Sequence, residues 1–176
     1  MDKKLEDYVI SIPDFPKPGI LFRDVTGVIG DPVGFRLAVD ALCRRLEGVA
    51  FDLVAGMESR GFIFGAPVAC RLGKGFLPVR KPGKLPRATV SESYALEYGT
   101  ATLEIHRDDI RPGQKVVLVD DLLATGGTAL AAARLVERLG GTVVKMVFPI
   151  ELEGFGARKG LLKDYDVASL VKYPGK

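Results

Sequence analysis

Residues 116–128 read Val-Val-Leu-Val-Asp-Asp-Leu-Leu-Ala-Thr-Gly-Gly-Thr, and no other stretch of this chain restricts its fold so tightly. Four apolar residues end in two adjacent carboxylates, Asp120 and Asp121. A loop of small residues follows, and then Ala129, Ala132, Ala133 and Val136 at helical spacing. A short run that is apolar at every residue buries both faces, which is the habit of a strand inside a parallel sheet covered by helices. Ligands of such sheets bind beyond the carboxyl ends of the strands, where the two acids fall. The loop of Ala124, Thr125, Gly126, Gly127 and Thr128 opens the next helix, and its free amides can hold an anion. The two glycines let a ligand come close to the backbone. Carboxylates and an anion cradle so near each other suit a ligand with hydroxyls at one end and a phosphate at the other, such as a ribose phosphate.

The rest of the chain repeats the alternation. The spacing predicts a short helix over 3–10 and a proline-rich loop over 11–24. A helix is predicted after Asp31-Pro32, with Phe35, Ala38, Val39, Leu42 and Leu46 on its apolar stripe. Strands are expected at 53–55, 76–80, 116–119, 143–150 and 167–171, and a second helix at 61–72. Residues 81–90 read as a basic loop, and 93–98 with 100–106 as a β-ribbon folded about Gly99. Strands alternating with helices indicate an α/β protein with a central, mostly parallel sheet flanked by helices, in a single domain over 1–176. No internal repeat or linker interrupts it.

Composition removes several classes of function. The net charge of +3 in 176 residues is poor evidence for nucleic-acid binding. No stretch reaches the roughly 18 apolar residues of a membrane helix, and the charged N-terminus does not read as a secretory signal, so a cytoplasmic protein is expected. Cys43 and Cys70 lack a Cys-x-x-Cys spacing and read as free thiols. His106 is the only histidine, so a Ser-His-Asp triad or a multi-histidine metal site would rest on it alone. The Walker spacing is absent, and Gly154, Gly156 and Gly160 do not fit a dinucleotide loop.

Residues 116–128 resemble the 5-phosphoribosyl-1-pyrophosphate (PRPP) motif of type I phosphoribosyltransferases. Four further segments are similar to the adenine-specific branch of that family. They are Phe-Pro-Lys-Pro-Gly-Ile-Leu-Phe-Arg-Asp at 15–24, Gly-Met-Glu-Ser-Arg-Gly-Phe at 56–62, and the pair Arg-Lys-Pro-Gly-Lys-Leu-Pro at 80–86 and Ser-Tyr-Ala-Leu-Glu-Tyr-Gly at 93–99. The likeness runs in order from about residue 12 to about residue 150.

The resemblance implies the type I phosphoribosyltransferase fold, with a small base-binding hood at 1–30 and a flexible β-ribbon loop at 81–100. It implies that Asp120 and Asp121 hold the ribose hydroxyls and that 124–128 hold the 5′-phosphate. Pyrophosphate would meet Glu58, Ser59, Arg60, Arg80, Lys81 and Lys84, with a cis peptide between Glu58 and Ser59. Adenine would stack on Phe22 and meet the backbone of Leu21 and Arg23, whose amide and carbonyl match the donor and acceptor of its Watson–Crick edge. Glu97 would be the catalytic carboxylate, taking the base proton or stabilising charge on the sugar. Mg²⁺ would be held mainly through PRPP, with water-mediated contact to Asp120 and Asp121. A homodimer is also implied. The expected reaction joins adenine to PRPP and gives AMP and pyrophosphate. Two alternatives share the motif: transfer to another purine, and a PRPP sensor without catalysis.

Overall fold

The chain begins, in a computed structural model that describes residues 3–95 and 99–175, with a 3-10 turn at Leu5–Tyr8. An antiparallel hairpin of β1 (Ile10–Pro13) and β2 (Leu21–Asp24) follows. Helices α1 (Thr26–Gly30) and α2 (Pro32–Arg45) lead to β3 (Leu53–Met57), α3 (Arg60–Arg71) and β4 (Gly75–Val79). A ribbon of β5 (Thr89–Ala95) and β6 (Thr100–His106) comes next. Then come β7 (Lys115–Val119), β8 (Leu122–Leu123), α4 (Gly127–Arg138), β9 (Thr142–Leu152), a 3-10 turn at Glu153–Phe155 and β10 (Val167–Tyr173).

The central sheet runs in the order β10-β9-β7-β3-β4, with every pair parallel and β8 added beside β9. Its middle strand explains the sequence pattern. Val116 and Leu118 point into the core under α4, with Leu135 and Phe148. Val117 and Val119 point into the opposite core with Phe64, Val68 and Leu42 of α2 and α3. All four strand residues are fully buried, each contributing about 1.5–3 kcal/mol of apolar transfer. Polar alternation would expose one face, so the run had to be apolar throughout.

Local chemistry sets the helix starts. Asp31 accepts hydrogen bonds from the Val33 and Gly34 amides at 2.8 and 3.0 Å, and Pro32 occupies the first helical position. Helix α4 is entered differently. Gly126 sits at φ 88°, and no side chain caps the helix. Gly61, in the first turn of α3, lies against the end of β7: a Cβ there would come within 2.8 Å of Asp120 Oδ1 and of the Val119 carbonyl oxygen.

The α/β class, the parallel sheet and the helices after Asp31-Pro32 and at 61–72 stand as expected, whereas 3–10 forms only a 3-10 turn at Leu5–Tyr8 before β1 begins at Ile10. Residues 11–24 do not form a loop throughout. Ile12 pairs with Phe22 and Ser11 with Arg23, while Pro16, Pro18 and Gly19 are confined to the turn. The prolines mark that turn without preventing short strands on either side. The ribbon begins at Thr89, earlier than its alternation indicated, and α1 and β8 are too short to show a period. Among the described residues no helix is long and apolar enough to cross a membrane.

Candidate active site

Beyond β7 the chain turns so that Asp121 is buried and Asp120 is half-buried. The Asp121 amide donates to Asp120 Oδ1 at 2.9 Å, and the Asp121 carbonyl accepts from the Ile150 amide at 3.1 Å. Asp121 is 5% exposed. Burial pushes the Asp120 carboxyl well above the ordinary carboxylate range, and the neighbouring Asp121 charge adds to it. Burial also raises Asp121, opposed chiefly by the Arg60 guanidinium. Arg60 Nε meets Asp121 Oδ2 at 2.7 Å. The tight seat of Gly61 against β7 brings Arg60 there.

These groups face a cavity of about 690 Å³. Asp120, Asp121, Ala124, Thr125, Gly126, Gly127 and Thr128 line one part of it, and Glu58, Ser59, Arg60 and Lys81 another. The uncapped first turn of α4 leaves its amides free for an anion. Ribbon residues reading had not singled out also reach this wall. Tyr94 and Thr102 line it, and Thr128 Oγ1 donates to the Tyr94 hydroxyl at 3.1 Å. The alternation of the ribbon was visible in sequence, but which of its faces meets α4 was not.

The peptide between Glu58 and Ser59 is cis. The Glu58 carboxylate does not stand free. It accepts from the Lys81 amide at 2.9 Å and from Arg80 Nε at 3.2 Å, and the Lys81 hydrogen bond leads in holding its pKa below the ordinary value. Arg80 in turn donates to the Lys84 carbonyl at 3.1 Å. Glu58 therefore fixes the start of the basic loop. Lys81 reaches the cavity wall, whereas Arg80 and Lys84 do not. Arg87 is paired with Asp109 at 2.6 Å.

A second cavity of about 500 Å³ lies against the hairpin, lined by Leu21, Arg23, Leu152, Phe155, Pro174 and neighbouring residues. Alternation along β2 puts Leu21 and Arg23 on its wall and leaves Phe22 off it. Phe22 packs edge-to-face on Phe15 at 5.2 Å between ring centres, and the Arg23 guanidinium lies 3.9 Å over the Tyr173 ring. Leu152 was outside the strand expected from sequence, because β9 runs on past Ile150. The two cavities adjoin along one ladder. Leu122, on the first wall, pairs with Ile150, and Leu123 with Glu151, next to Leu152 on the second wall.

A family model described as a phosphoribosyl transferase domain matches residues 42–172. An adenine phosphoribosyltransferase of Agathobacter rectalis is 62% identical over 174 residues, 99% of each chain. The crystal structure of an adenine phosphoribosyltransferase from Thermoanaerobacter pseudethanolicus is 54% identical and superposes with a TM-score of 0.93, covering 97% of this chain and 100% of that one. The Saccharomyces cerevisiae adenine phosphoribosyltransferase, solved with adenine and an imino-altritol bisphosphate, is 39% identical with a TM-score of 0.88, covering 95% and 96%. The chain belongs to the adenine phosphoribosyltransferase family.

With the family in place, the type I phosphoribosyltransferase fold accounts for the parallel sheet, the hairpin over its C-terminal edge and the ribbon beside α4. Glu97, expected to be catalytic, lies outside the described residues. His106 is buried, and its Nδ1 has no hydrogen-bond partner among the described residues, but it does not line either cavity. Among the described residues no cluster of three or more His, Cys, Asp or Glu is arranged to hold a metal. Mg²⁺ does not require one, since it commonly binds through one or two carboxylates, waters and substrate phosphates. Asp120 and Asp121 fit that donor set.

Proposed function

We propose that this chain transfers the 5-phosphoribosyl group of PRPP to N9 of adenine, giving AMP and pyrophosphate, a purine-salvage reaction. The observation that carries this reading is one cavity holding two adjacent carboxylates, Asp121 buried and Asp120 partly so, an uncapped helix start and a cation bound to one of the carboxylates. Family membership supports the choice of base.

The residues divide the substrate between them. The amides of Thr125–Thr128 and the threonine hydroxyls take the 5′-phosphate, where the α4 dipole adds to the attraction. Asp120 and Asp121 accept hydrogen bonds from the ribose hydroxyls. Burial raises both carboxyls, so hydroxyl donors from the ribose would stabilise their charged forms. Ser59, Arg60 and Lys81 take the pyrophosphate, with Arg80 and Lys84 supporting the loop that carries Lys81. Adenine enters beside Leu21 and Arg23, meeting the hairpin backbone, and Phe22 braces that strand from the other face.

The reaction breaks the bond from C1′ to pyrophosphate oxygen and forms the bond from N9 to C1′. Positive charge builds on the sugar as the first bond weakens, as in glycoside transfer. The clamp on the ribose holds C1′ in line between base and leaving group. Glu97 accepts the N9 proton or balances the sugar's charge. Asp120 and Asp121 would hold Mg²⁺ through water, with the pyrophosphate as its main ligand, and the ion when bound would supply neutralisation of the leaving group's charge. A homodimer and a cytoplasmic setting complete the reading. The test is incubation with PRPP, Mg²⁺ and each of several bases, with pyrophosphate release measured. Release with adenine alone supports the reading. Release with hypoxanthine or guanine instead, or with no base, contradicts it.

A further inference from the structure

The stretch after β9 touches both cavities. Leu152 and Phe155 line the second cavity. Ala157 and Leu162 back the phosphate loop so closely that a Cβ on Gly126 would lie 3.2 Å from Ala157 Cβ and from Leu162 Cγ. One network fastens this stretch to the sheet. Arg158 Nε donates to Glu151 Oε1 at 2.7 Å, and Arg158 Nη2 to Oε2 at 2.5 Å. Ser169 Oγ of β10 donates to the same carboxylate at 2.5 Å and accepts from Arg158 Nη2 at 2.9 Å. Arg158 also donates to the Val167 carbonyl. Glu151 is 4% exposed, and its pKa is held down by Arg158 and Ser169 against its burial.

Stability alone explains this network poorly. Glu151 is buried while the Arg158 side chain is 34% exposed, and a largely desolvated ion pair is often matched or bettered by apolar residues of similar volume. What it supplies is geometry, because a two-pronged arginine fixes distance and orientation together. Its position fits that use. Glu151 pairs with Leu123, two residues past Asp121, and precedes Leu152. Arg158 follows Ala157 behind the phosphate loop.

We propose that Glu151, Arg158 and Ser169 are positioning residues that hold the phosphate cradle and the base cavity in a common register. The proposal rests on the assignment of 5′-phosphate to 124–128 and of adenine to the hairpin cavity. Loosening the network shifts Ala157 behind Gly126 and Leu152 beside the base together. The Ser59–Arg60 seat belongs to α3 and stays in place. Affinity for adenine and for the ribose phosphate should therefore fall together, while affinity for free pyrophosphate should not.

The test compares Arg158→Lys, Ser169→Ala and a control, Lys172→Met, which removes an exposed ion pair to Glu153 at 2.7 Å. Arg158→Lys keeps the charge and loses the fork. It should raise KM for adenine and for PRPP about tenfold each, with kcat within about twofold and the pyrophosphate Kd unchanged. Ser169→Ala should raise the same two KM values about threefold. Lys172→Met should change none of them. Wild-type KM values with a lowered melting temperature would make the network a fold staple and overturn the proposal. A rise in only one KM would overturn the coupling. If Arg158→Lys fails to fold, Ser169→Ala decides in the same way. If the wild-type protein forms no AMP from adenine and PRPP, the site assignment falls first, and the proposal with it.

Discussion

Arg60 and Asp121 meet at 2.7 Å, joining the start of α3 to the end of β7 inside one cavity. The pair spans the seats assigned to pyrophosphate and to ribose. Arg60 is half exposed, so the pair contributes only about 1 kcal/mol to stability after solvent screening. Its larger effect is on binding. Arg60→Gln should weaken pyrophosphate binding by about tenfold or more, since a charge-assisted contact to phosphate is lost. Titration calorimetry with pyrophosphate measures this. An unchanged Kd would remove Arg60 from the anion site.

Asp120 carries the clearest pH signature. Burial and the Asp121 charge raise its carboxyl above the ordinary range in the folded protein. The folded state thus binds a proton that the unfolded chain has released. Asp120 therefore favours folding at pH below the ordinary carboxylate value, and that contribution is lost as pH rises through its raised value. Asp120→Asn removes the penalty. At pH 8 the ligand-free variant should melt about 2–4 °C higher than the wild type, with weaker PRPP binding. Differential scanning calorimetry across pH checks both the sign and the window. A variant less stable than the wild type at pH 8 would contradict the reading.

Much of this site was legible because the chemistry is local. Val116–Val119, the two acids and the Thr-Gly-Gly-Thr turn are contiguous, so strand, clamp and cradle read off one segment. Asp31-Pro32 announced its helix for the same reason. Longer-range placements were not legible. Leu152 reaches the hairpin cavity because β9 runs on past Ile150 beside β10, where Leu152 pairs with Tyr173, and no local pattern marks that extension. Glu58 looks like an anion-loop residue in sequence, yet its carboxylate is taken up by a loop more than twenty residues away. The hairpin at 10–24 was hidden by its prolines, of which Pro16 and Pro18 mark the turn and Pro13 ends β1 opposite Leu21.

Gly61 tests the packing that aims Arg60. A methyl group there would lie 2.8 Å from both Asp120 Oδ1 and the Val119 carbonyl oxygen. Backbone cannot yield as a flexible side chain does, so α3 would have to move. Gly61→Ala should cost about 1–3 kcal/mol of stability and lower kcat/KM at least tenfold. Denaturant unfolding and steady-state kinetics read the two effects. Wild-type values for both would mean that the start of α3 is not held against β7.

Glu97→Gln separates chemistry from binding. The amide keeps the size of the side chain and removes its charge and basicity. Turnover should fall by about a hundredfold or more, with the PRPP Kd within about threefold of the wild type. Near-normal turnover would discard the proposed role.

The most direct test follows the carbon–nitrogen bond itself. Purified protein given PRPP, Mg²⁺ and equal adenine, hypoxanthine and guanine should yield AMP and pyrophosphate in equal amounts by chromatography. The two 6-oxo bases should react at least about a hundredfold more slowly, because a site built for adenine leaves its polar groups unpaired against them. Nucleotide formed chiefly from hypoxanthine or guanine, or PRPP bound without any nucleotide formed, would contradict the account.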